Sequence, residues 1–272
     1  MSARALPVLM YHHVTPNPGL VTVSPATFRQ QMAWLAQHGY RGIGCRDFER
    51  FLAGEALPDK SVLITFDDGY LDNYVHAHPV LREFGLRGVV FLITGRIGSE
   101  SQPRRHAGMG GELPACPNHR EAKRLIDAGR TDEVMLRWSE VEAMQAAGTF
   151  EFHSHTHSHT RWDKTVADPA ARRAALADDL AASRATLAQH TGDSPHLCWP
   201  QGYYDDDYKQ VARAAGFRYL YTVRKGINTV ATPQDEIGRI VIKDRVGNWF
   251  GSRMFLYRQP LLGGWYLRLR GD

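Results

Sequence analysis

Val62-Leu63-Ile64-Thr65-Phe66-Asp67-Asp68-Gly69-Tyr70 decides how the rest of the chain reads. Its first five residues are a short, β-rich apolar run, the pattern of a buried strand. Two carboxylates follow at the strand's C-terminal end, and Gly69 lets the backbone turn sharply. Adjacent acids on a strand point to opposite sides and repel each other, so a pair at a strand end needs a reason. A bound cation, with one acid as ligand and the other as base, supplies one. A solvated Asp-Asp-Gly turn is the simpler alternative.

A second cluster favours the cation. Glu151-Phe152-His153-Ser154-His155-Thr156-His157-Ser158-His159-Thr160 packs four of the thirteen histidines into seven positions. Imidazole and carboxylate suit zinc, cobalt, nickel and iron, and an Asp/His/His set leaves positions open for water and substrate. If the strand continues through this stretch, His153 and His155 face the same way. Once the chain turns, His155 and His159 can converge as an i, i+4 pair, with His157 directed elsewhere. His153 reads equally as a support for the site or as a buried structural histidine.

Seven strand candidates alternate with helical segments, the signature of βα units: Pro7–His12, Val62–Phe66, Gly88–Ile93, Thr149–His153, His196–Trp199, Tyr219–Val223 and Glu236–Ile242. Helices are expected at Ser24–His38, opened by Ser24-Pro25, at Pro79–Phe84, and at Asp205–Ala215 before Gly216. Another follows Asp168-Pro169, with Leu176, Leu180 and Leu187 on one stripe. Ser139-Glu140-Val141-Glu142 reads as a capping box. Every chemical motif then falls at or just beyond a strand's C-terminal end, where active sites of parallel α/β barrels assemble.

Taken in order, Thr65-Phe66-Asp67-Asp68-Gly69-Tyr70, Ser154-His155-Thr156-His157-Ser158-His159 and Trp199-Pro200-Gln201-Gly202 resemble three motifs of the polysaccharide deacetylases, the NodB-homology enzymes of carbohydrate esterase family 4. The resemblance covers roughly residues 6 to 242. It implies an α/β fold, a distorted (β/α)7 barrel, and a metal-dependent hydrolase that removes acetyl groups from N-acetylated sugars. It further implies Asp67 as base and Asp68, His155 and His159 as ligands of one divalent ion, with zinc first and cobalt, nickel, manganese or iron as alternatives. Two departures stand out. Many members carry an Arg where this chain has Cys198, and most place the general acid on a C-terminal histidine, whereas the last histidine here is His196. A subgroup that deacetylates exported poly-N-acetylglucosamine is similar to this chain in its N-terminal Tyr-His strand, here Met10-Tyr11-His12-His13. By that likeness His12 is the acid, with His13 the second choice and a candidate substrate contact.

Further roles follow from position. The backbone N–H of Gln201 is placed to hold an oxyanion. Arg239 is a candidate partner for Asp67, or a plain structural ion pair. Trp199 and Tyr203 are candidates to stack on a sugar ring, with core packing as the competing explanation. Residues 99–133 interrupt the barrel pattern as a polar inserted loop, in which Arg104, Arg105 and Arg120 are candidate phosphate contacts. His106, Cys116 and His119 lack the ligand count and spacing of a second metal site. The rival readings are hydrolysis of another acyl or amide group (O-acetyl, N-formyl, cyclic amide) and a non-catalytic glycan-binding barrel.

The 272 residues suit one barrel domain over residues 1–242 and a C-terminal extension over 243–272. Three scattered cysteines argue against a disulfide framework. Neither a signal-peptide pattern nor a long apolar run appears, so the expected location is the cytoplasm. The extension holds six basic groups against Asp244 and Asp272, which is the whole net charge of +4. With its aromatics, it suits either packing over the barrel or peripheral contact with the inner membrane face. Nucleic acid is not expected, because the rest of the chain supplies no basic surface.

Overall fold

A computed structural model describes residues 2–269; Met1 and residues 270–272, the end of the basic extension, lie outside the described residues. One curled parallel sheet holds seven strands in a continuous path, with a short eighth (Arg41–Gly42) paired to the start of the second: β1 (Val8–Tyr11), β2 (Ser61–Asp68), β3 (Gly88–Leu92), β4 (Phe150–Ser154), β5 (His196–Cys198), β6 (Tyr219–Tyr221) and β7 (Ile240–Val241). Their spatial order is β7-β1-β2-β3-β4-β5-β6. The first strand lies beside the last, with Leu9 opposite Ile240 and Met10 opposite Val241. An isolated parallel bridge between Tyr221 and Ile237 brings the far edge round. This is the expected distorted barrel.

The strands read as continuous apolar runs because both faces are buried. Val8, Leu63, Val89, Phe91 and Tyr221 face the barrel interior, together with Phe48 and Phe51 of helix Cys45–Leu52. Alternate residues Leu9, Val62, Ile64, Val90, Phe150 and Phe152 meet the outer helices through Phe28, Met32 and Leu35. Helix Cys45–Leu52 covers the end of the interior where the strands begin.

Side-chain caps open three of the expected helices. Ser24 accepts from the Thr27 N–H at 3.2 Å, Asp168 from Ala171 at 2.7 Å, and Asp205 from Tyr208 at 2.8 Å. Four expectations need correction. The seventh strand is short because Asn228 binds both the N–H and the C=O of Gly238, at 3.0 and 2.8 Å, and takes that backbone out of the ladder. Ser139 does not cap a helix; Trp138–Ala146 begins one residue earlier, and Glu140 accepts from the Arg137 N–H at 2.9 Å. Arg104 is no phosphate contact, since its guanidinium is committed to buried Glu140 at 2.7 and 2.8 Å. The insertion is not wholly loop, for it contains helix His119–Asp127, whose Ala122 and Leu125 pack beneath Tyr70 and Met135.

Helices Asn248–Tyr257 and Pro260–Leu269 lie against the barrel, with Phe250, Met254, Tyr257 and Leu267 buried in its outer core. Their outward face keeps Leu261, Trp265 and Leu269 in one stripe, 87, 64 and 66% exposed. Among the described residues no helix is long and apolar enough to cross a membrane.

Candidate active site

The end of β2 departs from strand geometry. Asp68 has φ +75° and Gly69 φ +85°. A left-handed turn at Asp68 swings its side chain to the same side as that of Asp67, which resolves the puzzle of adjacent acids facing apart. Side-chain space adds a second constraint at Gly69, where a Cβ would meet Leu92 Cδ2 at 2.7 Å. Asp67 and Asp68 are both buried, and both line a cleft of about 480 Å³ at the C-terminal ends of the strands.

Asp67 is held from behind by Arg239. The guanidinium donates to its two oxygens at 2.6 and 2.8 Å and to the Thr222 carbonyl at 2.8 Å, and it is fully buried. Burial alone would raise the Asp67 pKa; Arg239, with His12, holds it below the ordinary carboxylate value instead. Cys198 Sγ lies 3.0 Å from the same guanidinium. The short thiol at this position leaves room for an arginine that arrives from the segment before β7. His12, one residue past β1, brings Nε2 to 3.6 Å from Asp67 Oδ2 and lines the cleft.

On the other side of the acid pair stand His155 and His159, with Nε2 atoms 3.4 and 3.6 Å from Asp68 Oδ1. They converge as expected once the chain turns, but not on a helix. The chain after β4 makes a tight turn instead, with Thr156 at φ +64° and His159 at φ +61°. Ser154 Oγ accepts from Thr156 N–H at 3.0 Å, and Asp179 accepts from Ser158 N–H at 2.7 Å, which pins the turn. His157 points away, to Thr94 Oγ1 at 3.0 Å.

The donor chemistry fits a divalent ion. His155 Nδ1 meets the Cys198 carbonyl at 2.8 Å, so that nitrogen keeps its proton and Nε2, turned to Asp68, is the atom that would ligate an ion once the ion displaces its proton. Burial opposes a charge on His155, yet Cys198 and Asp68 hold its pKa well above the ordinary value. Burial and the neighbouring His155 push His159 down to about 4, so it stays neutral and able to ligate. Burial would raise Asp68, but the histidines hold it far below the ordinary carboxylate range. Ligand atoms of Asp68, His155 and His159 lie within 4.8 Å of one another. Asp67, His155 and Cys198 meet the same criterion, but both Asp67 oxygens and the thiol already face a guanidinium, which repels a second cation. The Asp68 set is the better holder.

Other residues singled out from sequence separate clearly. Gln201 lies at the cleft with φ +53°. Trp199 borders the cleft but is 1% exposed, packed against Tyr204 and Tyr208, so core packing rather than sugar stacking accounts for it. Tyr203 is not among the lining residues; Arg161 covers its ring at 4.2 Å. His13 is also absent from the lining. It is buried between Asp72 at 2.6 Å and the Tyr70 ring at 3.7 Å, and touches His119 at 3.3 Å, so it meets no substrate directly. His106 packs on Tyr74 and His78, and Cys116 with Leu71 and Val75, so neither joins His119. Lining residues not anticipated include Tyr70, Arg96, His119, Lys123 and Asp127. Only Tyr70 carried a signal, as the last residue of the acid motif.

A parallel α/β barrel whose strand ends gather an Asp–Arg pair, an Asp/His/His set and a histidine in one cleft defines a metal-dependent hydrolase. Residues 54–220 match the family model described as polysaccharide deacetylase. The chain belongs to that family. It is 40% identical over 94 residues to the putative polysaccharide deacetylase YxkH of Bacillus subtilis (strain 168), a match that spans 34% of this chain and only 33% of that relative. It is 25% identical over 226 residues to the poly-beta-1,6-N-acetyl-D-glucosamine N-deacetylase of Staphylococcus aureus (strain MRSA252), covering 82% of this chain and 68% of the relative. The structure of IcaB from Ammonifex degensii superposes with a TM-score of 0.70 at 26% identity, over 94% of this chain and 98% of that one.

Proposed function

We propose that this chain removes the acetyl group from N-acetylglucosamine units of a cell-envelope glycan or its precursor. The observation that carries the reading is the gathering in one cleft of Asp67, backed by Arg239 and with His12 beside it, next to the Asp68/His155/His159 set. The names of the similar N-deacetylases support the sugar and the amide. A divalent ion held by Asp68, His155 and His159 would supply a polarised carbonyl and a more acidic water. Zinc is the ion we propose first. Asp67, kept ionised by Arg239, takes the proton of the attacking water. The Gln201 N–H would stabilise the oxyanion, and His12 would deliver a proton to the departing amine.

Acetate release from N-acetylglucosamine oligomers by stripped and metal-reloaded protein tests this directly. His155→Ala should abolish stoichiometric metal by elemental analysis, and acetate release with it. Release from O-acetyl esters but not from the amide would replace the proposed substrate, and full metal content in His155→Ala would remove His155 from the ligand set.

His12→Ala is expected to lose about 10²–10⁴-fold in rate while retaining metal. An acid must be protonated to act. Burial lowers the His12 pKa, with Asp67 and Asp68 opposing, so activity should fall as pH rises through a value below that of an ordinary imidazole. That alkaline limb should be missing in His12→Ala; a full rate with the limb intact would end the assignment.

The outer stripe of helix Pro260–Leu269 supports a peripheral contact with anionic lipid, with Arg268 beside it. The cytoplasmic leaflet is the anionic one, and on that ground we propose a cytoplasmic location. The wild type should co-sediment with phosphatidylserine vesicles but not with pure phosphatidylcholine, and Leu261→Ser/Trp265→Ser should lose the binding. Equal pelleting of both proteins would rule the contact out.

A further inference from the structure

The barrel interior holds a further group of metal-type donors away from the cleft lining. Cys45 is the first residue of helix Cys45–Leu52, and Glu151 and His153 lie on the inward face of β4. One donor atom from each lies within 4.8 Å of the other two. None of these side chains lines the catalytic cleft.

Ordinary hydrogen bonding explains part of this cluster. Glu151 accepts from the Cys45 N–H at 2.8 Å and from Arg87 at 3.1 Å. Gly44 makes the first contact achievable, because a Cβ there would lie 2.1 Å from Glu151 Oε1. Ser194 Oγ meets His153 Nδ1 at 2.5 Å. What remains is His153 Nε2, a buried nitrogen with no hydrogen-bond partner, 3.8 Å from Glu151 Oε2. The Cys45 thiol has only a long contact, 3.7 Å to Tyr221 Oη. An unpartnered ring nitrogen, a thiol and a carboxylate converge, and the ring is fixed through its other nitrogen, as metal-bound histidines generally are.

We infer that Cys45, Glu151 and His153 form a second metal site, suited to zinc or another borderline divalent ion that accepts a thiolate. Bond lengths of about 2.0–2.3 Å put donors of one ion about 3–4 Å apart, so small side-chain rotations complete the site. Binding releases the Cys45 thiol proton to solvent, and the thiolate and carboxylate then balance the charge of the ion. Water takes the open position, and the Glu151 side chain, 30% exposed, marks the route of entry. The ion would tie helix Cys45–Leu52 to β4 beneath the reaction cleft.

The test is a cobalt titration of the full, chelator-stripped chain, read by near-ultraviolet absorption and by metal content. Cobalt bound to thiolate gives a sulfur-to-metal charge-transfer band, which an Asp/His/His set cannot give. The expected result is a second equivalent of metal accompanied by that band. Both should vanish in Cys45→Ser and in His153→Ala, and both should persist in Cys198→Ser, whose thiol lies near the cleft. His155→Ala should lose the other equivalent and keep the band. Absence of the band in the wild type, its survival in Cys45→Ser, or its loss in Cys198→Ser alone would each overturn the site.

Discussion

Replacing Asp67 with Asn is expected to cost about 10²–10⁴-fold in turnover and to leave the metal content unchanged. The substitution keeps the shape of the side chain and removes its ability to take a proton. It also turns an amide N–H toward one arm of the Arg239 fork, where two oxygens now accept at 2.6 and 2.8 Å. Elemental analysis and thermal unfolding of the same preparation separate the two effects. If turnover stayed near wild type, Asp67 could not be the base. If the metal left, Asp67 would belong to the ligand set with His155 and Cys198, the competing trio of the cleft.

Arg239→Met should act on stability and on pH dependence together. The guanidinium is fully buried, and its removal leaves Asp67 charged and without its main partner. Breaking a buried pair from one side costs about 3–5 kcal/mol, which urea denaturation would detect. The Asp67 pKa is depressed in the folded protein, with Arg239 the foremost of the causes that lower it against burial. This contribution to stability is therefore present above the unfolded carboxylate value and fades as pH falls through the folded one. Without Arg239 the Asp67 pKa rises, so the acid limb of kcat/KM should move to higher pH. A merely structural arginine would not shift that limb. Arg239→Met/Asp67→Asn should recover part of the lost stability, because no uncompensated charge remains. Stability within about 1 kcal/mol of wild type and an unmoved limb would reduce the pair to a minor surface-like contact.

Much of the fold was legible because buried parallel strands leave short apolar runs bounded by turn residues, and all seven were readable within two or three residues of their ends apart from the last. Glu236–Ile242 misled because its interruption comes from a distant side chain, Asn228, which no local pattern reports. Helix Cys45–Leu52 went unread although Cys45, Phe48, Phe51 and Leu52 repeat at helical spacing; it follows Gly44 with no side-chain cap to announce it. At the site, Asp67, Asp68, His155 and His159 were visible as clustered chemistry, and the parallel closure of β1 on β7 brings His12 to the cleft. His119 and Lys123 were not visible. They reach the cleft through a helix inside the insertion, and their proximity is a property of tertiary packing alone. The aromatic motif residues misled in the opposite direction, because a tryptophan after a strand is as useful to a core as to a sugar.

Arg239 lies 172 residues downstream of the carboxylate it clasps. During synthesis, β2 and its acids leave the ribosome long before that arginine exists, and β7 can dock against β1 only after the whole stretch between them has been made. Contacts so distant in sequence form late in folding. The reaction centre is thus assembled by the same event that closes the barrel, and a nascent or truncated chain without its final strand carries two unclasped acids and no working hydrolase.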